Sequence, residues 1–147
     1  MKNKNKLKIG VIGLGYVGLP LAIEFSKKFR TIAFDISKKR INELTNGYDA
    51  NNEINKNEIK NKNIIYTSNK KYLKKINFFV ITVPTPVNKI NKPDLSKIKN
   101  AATIVSQNLK IDDIVVLEST VYPGFSENYL KSILEKESKL IYNKDFY

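Results

Sequence analysis

The chain has 147 residues, which is enough for one domain with a buried core. It contains no cysteine and no histidine, which excludes disulfides, cysteine nucleophiles and histidine-based catalysis within this sequence, and we predict no metal site. The formal net charge of +12 comes mainly from lysines spread along the chain, with arginine only at Arg30 and Arg40. This pattern is typical of a solvated surface and argues against nucleic acid as a partner, because proteins that read nucleic-acid grooves depend on arginine.

The sequence also lacks the marks of an exported or membrane protein. The basic stretch MKNKNKLK leads into only a short apolar run, unlike a signal peptide. No apolar stretch approaches the roughly 20 residues that a membrane-spanning helix needs. We therefore expect a cytoplasmic protein without a membrane partner.

The most informative stretch is LKIGVIGLGYVG, at residues 7–18. An apolar run over residues 7–12 predicts a strand, which delivers Gly13, Gly15 and Gly18 at GxGxxG spacing. In a phosphate-binding turn, the first glycine permits the tight turn and the second lets the backbone approach a pyrophosphate. The third lets the next helix lie against the sheet, with its free N–H groups directed at the phosphates.

An amphipathic helix and a second strand, over residues 31–34, follow the glycine turn. That strand ends at Asp35, twenty residues after Gly15, where a carboxylate accepts hydrogen bonds from the hydroxyls of an adenine ribose. The same carboxylate would repel a 2′-phosphate, so the arrangement favours NAD over NADP. The alternative is a glycine-rich turn that binds no ligand.

Residues 36–46 have helical periodicity and end at an Asn-Gly pair, as helices commonly do. Arg40 in this helix would flank the adenosine or its phosphates. The alternative is a solvent-facing helix charge. The polar, Asn-rich and Lys-rich segment at residues 48–63 predicts a loop with one helical turn around residues 53–59.

The next elements lead to a second exit from the sheet. A short strand over residues 64–67 is followed by a brief helix over residues 69–75, with Ser68 as its cap. Residues 77–83, NFFVITV, are almost continuously apolar, which indicates a strand buried on both faces of a parallel sheet.

Two prolines end this strand, in the sequence Pro84-Thr85-Pro86. In a doubly wound sheet such an exit lies at the carboxyl edge, where ligands bind. Thr82, Pro84 and Thr85 are therefore candidate cofactor contacts. The alternative is that the prolines only end a strand.

The rest of the chain continues the alternation of strands and helices. The predicted elements are a turn-rich loop at 88–93, a helix at 95–109 capped by Asp94, a buried strand at 114–117, a helix at 126–137 and the start of a strand at 140–142. The strand at 114–117 delivers Glu118, Ser119 and Thr120 to the same edge of the sheet.

Strands and helices alternate five times, and no hairpin pattern interrupts them. This alternation predicts an α/β fold, a Rossmann-type doubly wound parallel sheet with right-handed crossovers. Three strand exits, carrying the glycine turn, the Pro-Thr-Pro sequence and the Glu-Ser-Thr sequence, then face one crevice.

Four motifs together resemble the N-terminal NAD-binding domain of the UDP-glucose/GDP-mannose dehydrogenase family: KIGVIGLGYVGLPLA, FDI at Asp35, ITVPTP with the following PDL, and ESTVYPG. The last two are most similar to the branch that oxidises UDP-N-acetylglucosamine, -galactosamine or -mannosamine at C6. The resemblance covers nearly the whole chain and implies one NAD-binding Rossmann domain over residues 1–147. It also implies oxidation of the sugar alcohol to a carboxylate with two NAD+, a role in surface polysaccharide synthesis, and a homo-oligomer.

The resemblance assigns a role to residues in each motif. The glycines would cradle the pyrophosphate, Asp35 would hold the ribose, and Arg40 matches a basic position near it. Thr120 corresponds to a family threonine that helps position the water or substrate oxygen, and the alternative is a turn or cap hydroxyl. The predicted cofactor contacts are Gly13, Gly15, Tyr16, Val17, Gly18, Asp35, Arg40, Thr82, Pro84, Thr85, Glu118, Ser119 and Thr120.

One departure from the family limits this prediction. The family's nucleophile is a cysteine in a later domain, and this sequence has no cysteine. The resemblance therefore implies that the UDP-sugar pocket is absent and that the chain does not complete the oxidation alone. The alternatives are a stand-alone NAD-binding module, an inert remnant, or another Rossmann dehydrogenase of the 6-phosphogluconate or 3-hydroxyacid type. A sheet edge left uncovered after Leu140 also predicts self-association.

Overall fold

The computed structural model describes residues 7–87 and 93–147. In these ranges the strands form one parallel sheet and are β1 (Lys8–Ile12), β2 (Arg30–Phe34), β3 (Ile64–Thr67), β4 (Phe78–Ile81) and β5 (Ile114–Leu117). The helices of the described residues are α1 (Gly18–Ser26), α2 (Lys38–Thr45), α3 (Lys56–Ile59), α4 (Ser96–Ser106) and α5 (Lys131–Ser138). A 3₁₀ helix spans Lys70–Lys75, and a π-helical turn at Ser126–Leu130 runs into α5.

The order of the strands, β3-β2-β1-β4-β5, places the point where the strand order reverses between β1 and β4. Ile12 at the end of β1 pairs with Phe34 of β2 on one side and with Ile81 of β4 on the other. The residues that follow these three strands therefore emerge at the same edge of the sheet. Doubly wound sheets bind their ligands at this position.

Helices cover both faces of the sheet. The buried residues of α1, Leu19, Ala22 and Ile23, belong to a core cluster on one face that also holds Val11 and Val80. A second cluster, on the opposite face, joins alternate strand residues to α4 and α5. This arrangement confirms the predicted α/β, Rossmann-type doubly wound sheet. Among the helices of the described ranges, none combines the length and apolar character needed to cross a bilayer.

The start of α2 differs from the prediction. The Ser37 N–H donates to Asp35 Oδ1 at 2.8 Å, and the Ser37 hydroxyl accepts from the Arg40 N–H at 3.2 Å. These bonds make residues 35–37 a turn, so α2 begins at Lys38. Ile36, the first residue of the predicted helix, therefore lies outside α2 and is 73% exposed.

Two other helix boundaries also moved. Asn69, and not Ser68, caps the 3₁₀ helix through its side-chain oxygen. Asp94 accepts a hydrogen bond from the Ser96 N–H at 2.9 Å, but the N-cap residue of α4 is Leu95 and the helix spans Ser96–Ser106 instead of the predicted 95–109. Of the predicted loop at 88–93, residues 88–92 lie outside the described ranges.

The strand predicted at residues 140–142 is wrong. The chain turns after α5 through Lys139 and Asn143, which both have positive φ. Phe146 and Tyr147 then lie beside β5, where the Tyr147 N–H donates to the Asp113 carbonyl at 3.0 Å. The backbone that pairs with β5 therefore comes from residues 146–147. The expectation of a sheet edge left uncovered after residue 140 is wrong for this part of β5.

Candidate functional site

A cleft of about 390 Å³ lies at the carboxyl edge of the sheet, beside the point where the strand order reverses. It is lined by the glycine turn, by the end of β2 with the start of α2, by the exit of β4 and by one side of α4. Of the predicted cofactor contacts, the cleft lining includes Gly13, Gly15, Asp35, Arg40 and Pro84. Three separate motifs therefore meet in one cavity.

The glycine turn depends on backbone positions that a side chain would block. Gly13 has a φ of +101°, and its N–H donates to the Phe34 carbonyl at 2.8 Å. A Cβ on Gly18 would lie 1.8 Å from the Gly13 carbonyl oxygen. A Cβ on Gly15 would meet no atom within 4 Å, so the space beside this residue is open. Gly13 and Gly18 shape the turn, whereas Gly15 leaves room for a ligand at the start of α1.

Thr82 stabilises the glycine turn through its side-chain hydroxyl. This residue is 6% exposed, and its hydroxyl lies 2.7 Å from the Gly13 carbonyl oxygen. The same hydroxyl lies 3.1 Å from the Ile12 carbonyl oxygen. Thr82 was predicted as a cofactor contact, and the structure places its side chain against the backbone of the glycine turn, outside the residues that line the cleft.

Asp35 joins the end of β2 to the glycine turn. Its Oδ2 accepts from the Leu14 N–H at 2.8 Å, and its Oδ1 accepts from the Ser37 N–H at 2.8 Å. Each carboxylate oxygen can accept a second hydrogen bond. Asp35 can therefore hold the turn and still accept hydrogen bonds from ribose hydroxyls in the cleft.

Arg40 binds the carbonyl of Leu14, the residue whose N–H group donates to Asp35. Its Nε donates to the Leu14 carbonyl at 2.9 Å, and its Nη1 lies 2.7 Å from Asp49 Oδ1. The Arg40 side chain is only 11% exposed, which excludes the alternative of a solvent-facing helix charge. Asp35 and Arg40 thus fix both the N–H and the carbonyl of Leu14 within the cleft wall.

Asp49 is a buried partner that the sequence did not reveal. Its side chain is 1% exposed, and its oxygens accept from the N–H groups of Asn51, Glu53 and Ile54. Burial alone would raise the pKa of the Asp49 carboxyl, but Arg40 and the N–H groups of Asn51 and Glu53 outweigh this effect and hold the pKa below its usual value. A single aspartate in a polar loop carries no pattern that predicts such a partner.

We expect Asp49→Asn to lower the free energy of unfolding at pH 7 by about 2 kcal/mol, because it removes the nearer of the two carboxylates that pair with the buried Arg40. The folded-state pKa of Asp49 is lowered, so this stabilisation is present above the unfolded-state pKa of about 4 and is lost as pH falls through the lower folded-state pKa. Urea unfolding between pH 7 and pH 2 would measure it. Asp49→Asn should lose this part of the pH dependence. Glu24→Gln, which removes an exposed carboxylate and keeps Asp49, is the control and should retain the pH dependence of the wild type.

The exits of β4 and β5 are joined to each other. The Ser119 hydroxyl donates to the Val83 carbonyl at 2.6 Å, and the Thr85 hydroxyl donates to the Thr120 carbonyl at 2.9 Å. The Thr120 residue itself is exposed. The structure therefore places the Pro-Thr-Pro and Glu-Ser-Thr motifs side by side. Pro84 lines the cleft, whereas Thr85, Ser119 and Thr120 are not among its lining residues.

Tyr16, Val17 and Glu118 lie on another side of the glycine turn. Tyr16 and Val17 are 67% and 56% exposed at the start of α1. Val17 and Glu118 line a separate open groove between α1 and strands β4 and β5. The predicted contacts thus divide into one group in the cleft lining and another group outside it, and their contact with a cofactor stays a prediction.

This arrangement is shared with known proteins. A sequence model described as UDP-glucose/GDP-mannose dehydrogenase family, NAD binding domain, matches residues 7–147. The chain belongs to this family. The family match identifies NAD as the cofactor of the domain, which confirms the resemblance and the predicted cofactor. It also excludes the alternative of a 6-phosphogluconate or 3-hydroxyacid type of dehydrogenase.

Individual relatives cover almost the whole chain. Protein CapL of Staphylococcus aureus is 52% identical over 139 residues, covering 95% of this chain and 33% of CapL. UDP-N-acetyl-D-glucosamine 6-dehydrogenase of Salmonella typhi is 46% identical over 144 residues, covering 97% of this chain and 34% of that enzyme. The structure of UDP-D-ManNAc dehydrogenase from Pyrococcus horikoshii has a TM-score of 0.88 and 31% identity, covering 96% of this chain and 35% of that one. The chain thus spans about a third of the length of the curated relatives it matches.

Proposed function

We propose that this NAD-binding domain serves an enzyme that oxidises the C6 alcohol of a UDP-N-acetylhexosamine to a carboxylate. The similarity to UDP-N-acetyl-D-glucosamine 6-dehydrogenase over nearly the whole chain supports this substrate class. In the overall reaction, the alcohol, one water and two NAD+ give the carboxylate, two NADH and three protons. Because this sequence has no cysteine, the nucleophile of the family, the proposed oxidation needs protein in addition to these 147 residues.

The single observation that carries the cofactor assignment is the open space at Gly15 in the wall of the cleft that Asp35 lines. The pyrophosphate would lie against Gly15, at the N-terminal end of α1, where the helix dipole favours an anion. The adenine ribose would bind Asp35, on the β2 side of the turn. NAD+ supplies the hydride acceptor when bound, and the residues of this chain bind and orient it.

The other group of predicted contacts would serve the nicotinamide half. A dinucleotide crosses the sheet at the point where the strand order reverses, so its second half lies toward β4 and β5. There the linked exits present the exposed Thr120, which we propose as an auxiliary residue that positions a substrate oxygen or water. We also propose that the complete enzyme is cytoplasmic and homo-oligomeric.

Calorimetric titration of the purified chain with NAD+ tests the cofactor site. We expect NAD+ to bind the wild type and to bind Asp35→Ala about tenfold more weakly, because the variant loses the hydrogen bonds of the ribose. Asp35→Ala also loses the bond to the Leu14 N–H, so Asp35→Asn, which keeps an acceptor, is the matched control. A wild-type chain that is folded by circular dichroism and binds no NAD+ would contradict the proposed function.

A further inference from the structure

An arginine next to the ribose-binding carboxylate is where a Rossmann site accommodates the 2′-phosphate of NADP. Arg40 occupies that place in this chain, because it lines the same cleft as Asp35 and the two residues hold the same turn residue. The sequence thus carries two opposite signals, a carboxylate that favours NAD and a guanidinium that suits NADP. The contacts of Arg40 decide between them.

The guanidinium of Arg40 is held by protein groups and is not free to bind a phosphate. Its Nε is committed to the Leu14 carbonyl, and its Nη1 faces Asp49 at 2.7 Å. Glu43 adds a second carboxylate 3.6 Å from Nη1, and it lines the cleft. Among residues 7–87 and 93–147, the buried Nη1 and Nη2 have no hydrogen-bond partner, so Nη1 meets Asp49 as an ion pair. The positive charge is therefore balanced by protein carboxylates, and the hydrogen-bond donors of both Nη groups are left unused.

Asp49 is held firmly enough to impose this arrangement. Its carboxylate is 1% exposed and accepts from three backbone N–H groups as well as facing Arg40. These bonds belong to the loop after α2, whose residues Ala50 and Asn51 line the cleft while Asp49 does not. Asp49 therefore acts on the cleft only through Arg40 and the loop.

We propose that Asp49 is a positioning residue that sets the cofactor preference, because it holds Arg40 in an ion pair and keeps the guanidinium from receiving a 2′-phosphate. The inference rests on the proposed binding of the ribose at Asp35. With Arg40 neutralised, the carboxylates of Asp35 and Glu43 dominate the field at the ribose and disfavour NADP+. Without the Asp49 carboxylate, the Nη1 and Nη2 groups of Arg40 become free to form a two-point contact with phosphate.

The test is the ratio of the dissociation constants for NADP+ and NAD+, measured by calorimetric titration at fixed salt. We expect Asp49→Asn to lower this ratio by about tenfold, chiefly through tighter NADP+ binding. The double variant Asp49→Asn with Arg40→Met should return the ratio to the wild-type value, because the phosphate receptor is then absent. Glu137→Gln is the matched control: it removes one exposed negative charge of α5 outside the cleft lining and leaves Arg40 paired, so it should not change the ratio.

A folded Asp49→Asn variant with an unchanged ratio, or with a lowered ratio that persists after Arg40→Met, would overturn the inference. If Asp49→Asn does not fold, Arg40→Met alone decides the question. We expect Arg40→Met to weaken NAD+ and NADP+ binding equally. A selective loss of NADP+ binding in this variant would overturn the inference. A folded wild-type chain that binds no NAD+ would overturn the proposed function and this inference together, whereas NAD+ binding with an unchanged ratio overturns the inference alone.

Discussion

Gly15→Val is expected to abolish measurable NAD+ binding, a loss of at least about 100-fold in affinity, while the domain stays folded. The domain should stay folded because a Cβ at Gly15 meets no protein atom within 4 Å. The open space is the place where the backbone must approach the pyrophosphate without a side chain. The valine methyl groups would fill that space.

The measurement pairs calorimetric titration with thermal unfolding. The free energy of unfolding should change by no more than about 1 kcal/mol, because the added Cβ meets no protein atom and Gly15 has no positive φ. Ser132→Val, which places the same valine side chain at an exposed position of α5 outside the cleft, is the control and should keep full NAD+ affinity. A Gly15→Val variant that binds NAD+ like the wild type would show that the pyrophosphate does not lie against this residue.

Gly18→Ala is expected to have the opposite effect, a loss of stability of about 3 kcal/mol or more. The new Cβ would lie 1.8 Å from the Gly13 carbonyl oxygen and 2.5 Å from the Thr82 hydroxyl. The first contact is with backbone, so it can be relieved only by moving the glycine turn or by shifting α1 away from the sheet. Either movement exposes the buried face that Leu19 and Ala22 provide.

Urea unfolding at pH 7 measures this loss, and Gly15→Ala is the matched control. The same added methyl group at Gly15 meets no atom within 4 Å and should change the free energy of unfolding by less than about 1 kcal/mol. The two glycines are three residues apart in one motif, so the comparison separates a position required for folding from one required for binding. Equal stability of Gly18→Ala and Gly15→Ala would contradict the close helix-to-turn packing of the structure.

The strands were predictable because their apolar patterns depend on local sequence. The strands at 64–67 and 114–117 have the predicted boundaries, since an apolar run in a parallel sheet is bounded by polar turns. Helix starts were less predictable, because they depend on side-chain bonds made after the chain folds. The bond between Asp35 and the Ser37 N–H, which delays α2, is an example. The pairing of Tyr147 with β5 depends on a turn at Lys139 that no apolar pattern marks.

The sequence by itself determined the fold class, the family and the cofactor. The reason is that the glycine spacing, the carboxylate after the second strand and the alternation of strands and helices are local patterns with few structural solutions. Only the tertiary structure decided what each side chain does at the edge of the sheet. Thr82 supports the glycine turn, and Arg40 is paired with Asp49, nine residues further along the chain. Ion pairs and hydrogen bonds of this kind form between segments whose separation in sequence is arbitrary, so their partners become visible only when folding brings them to within about 3 Å.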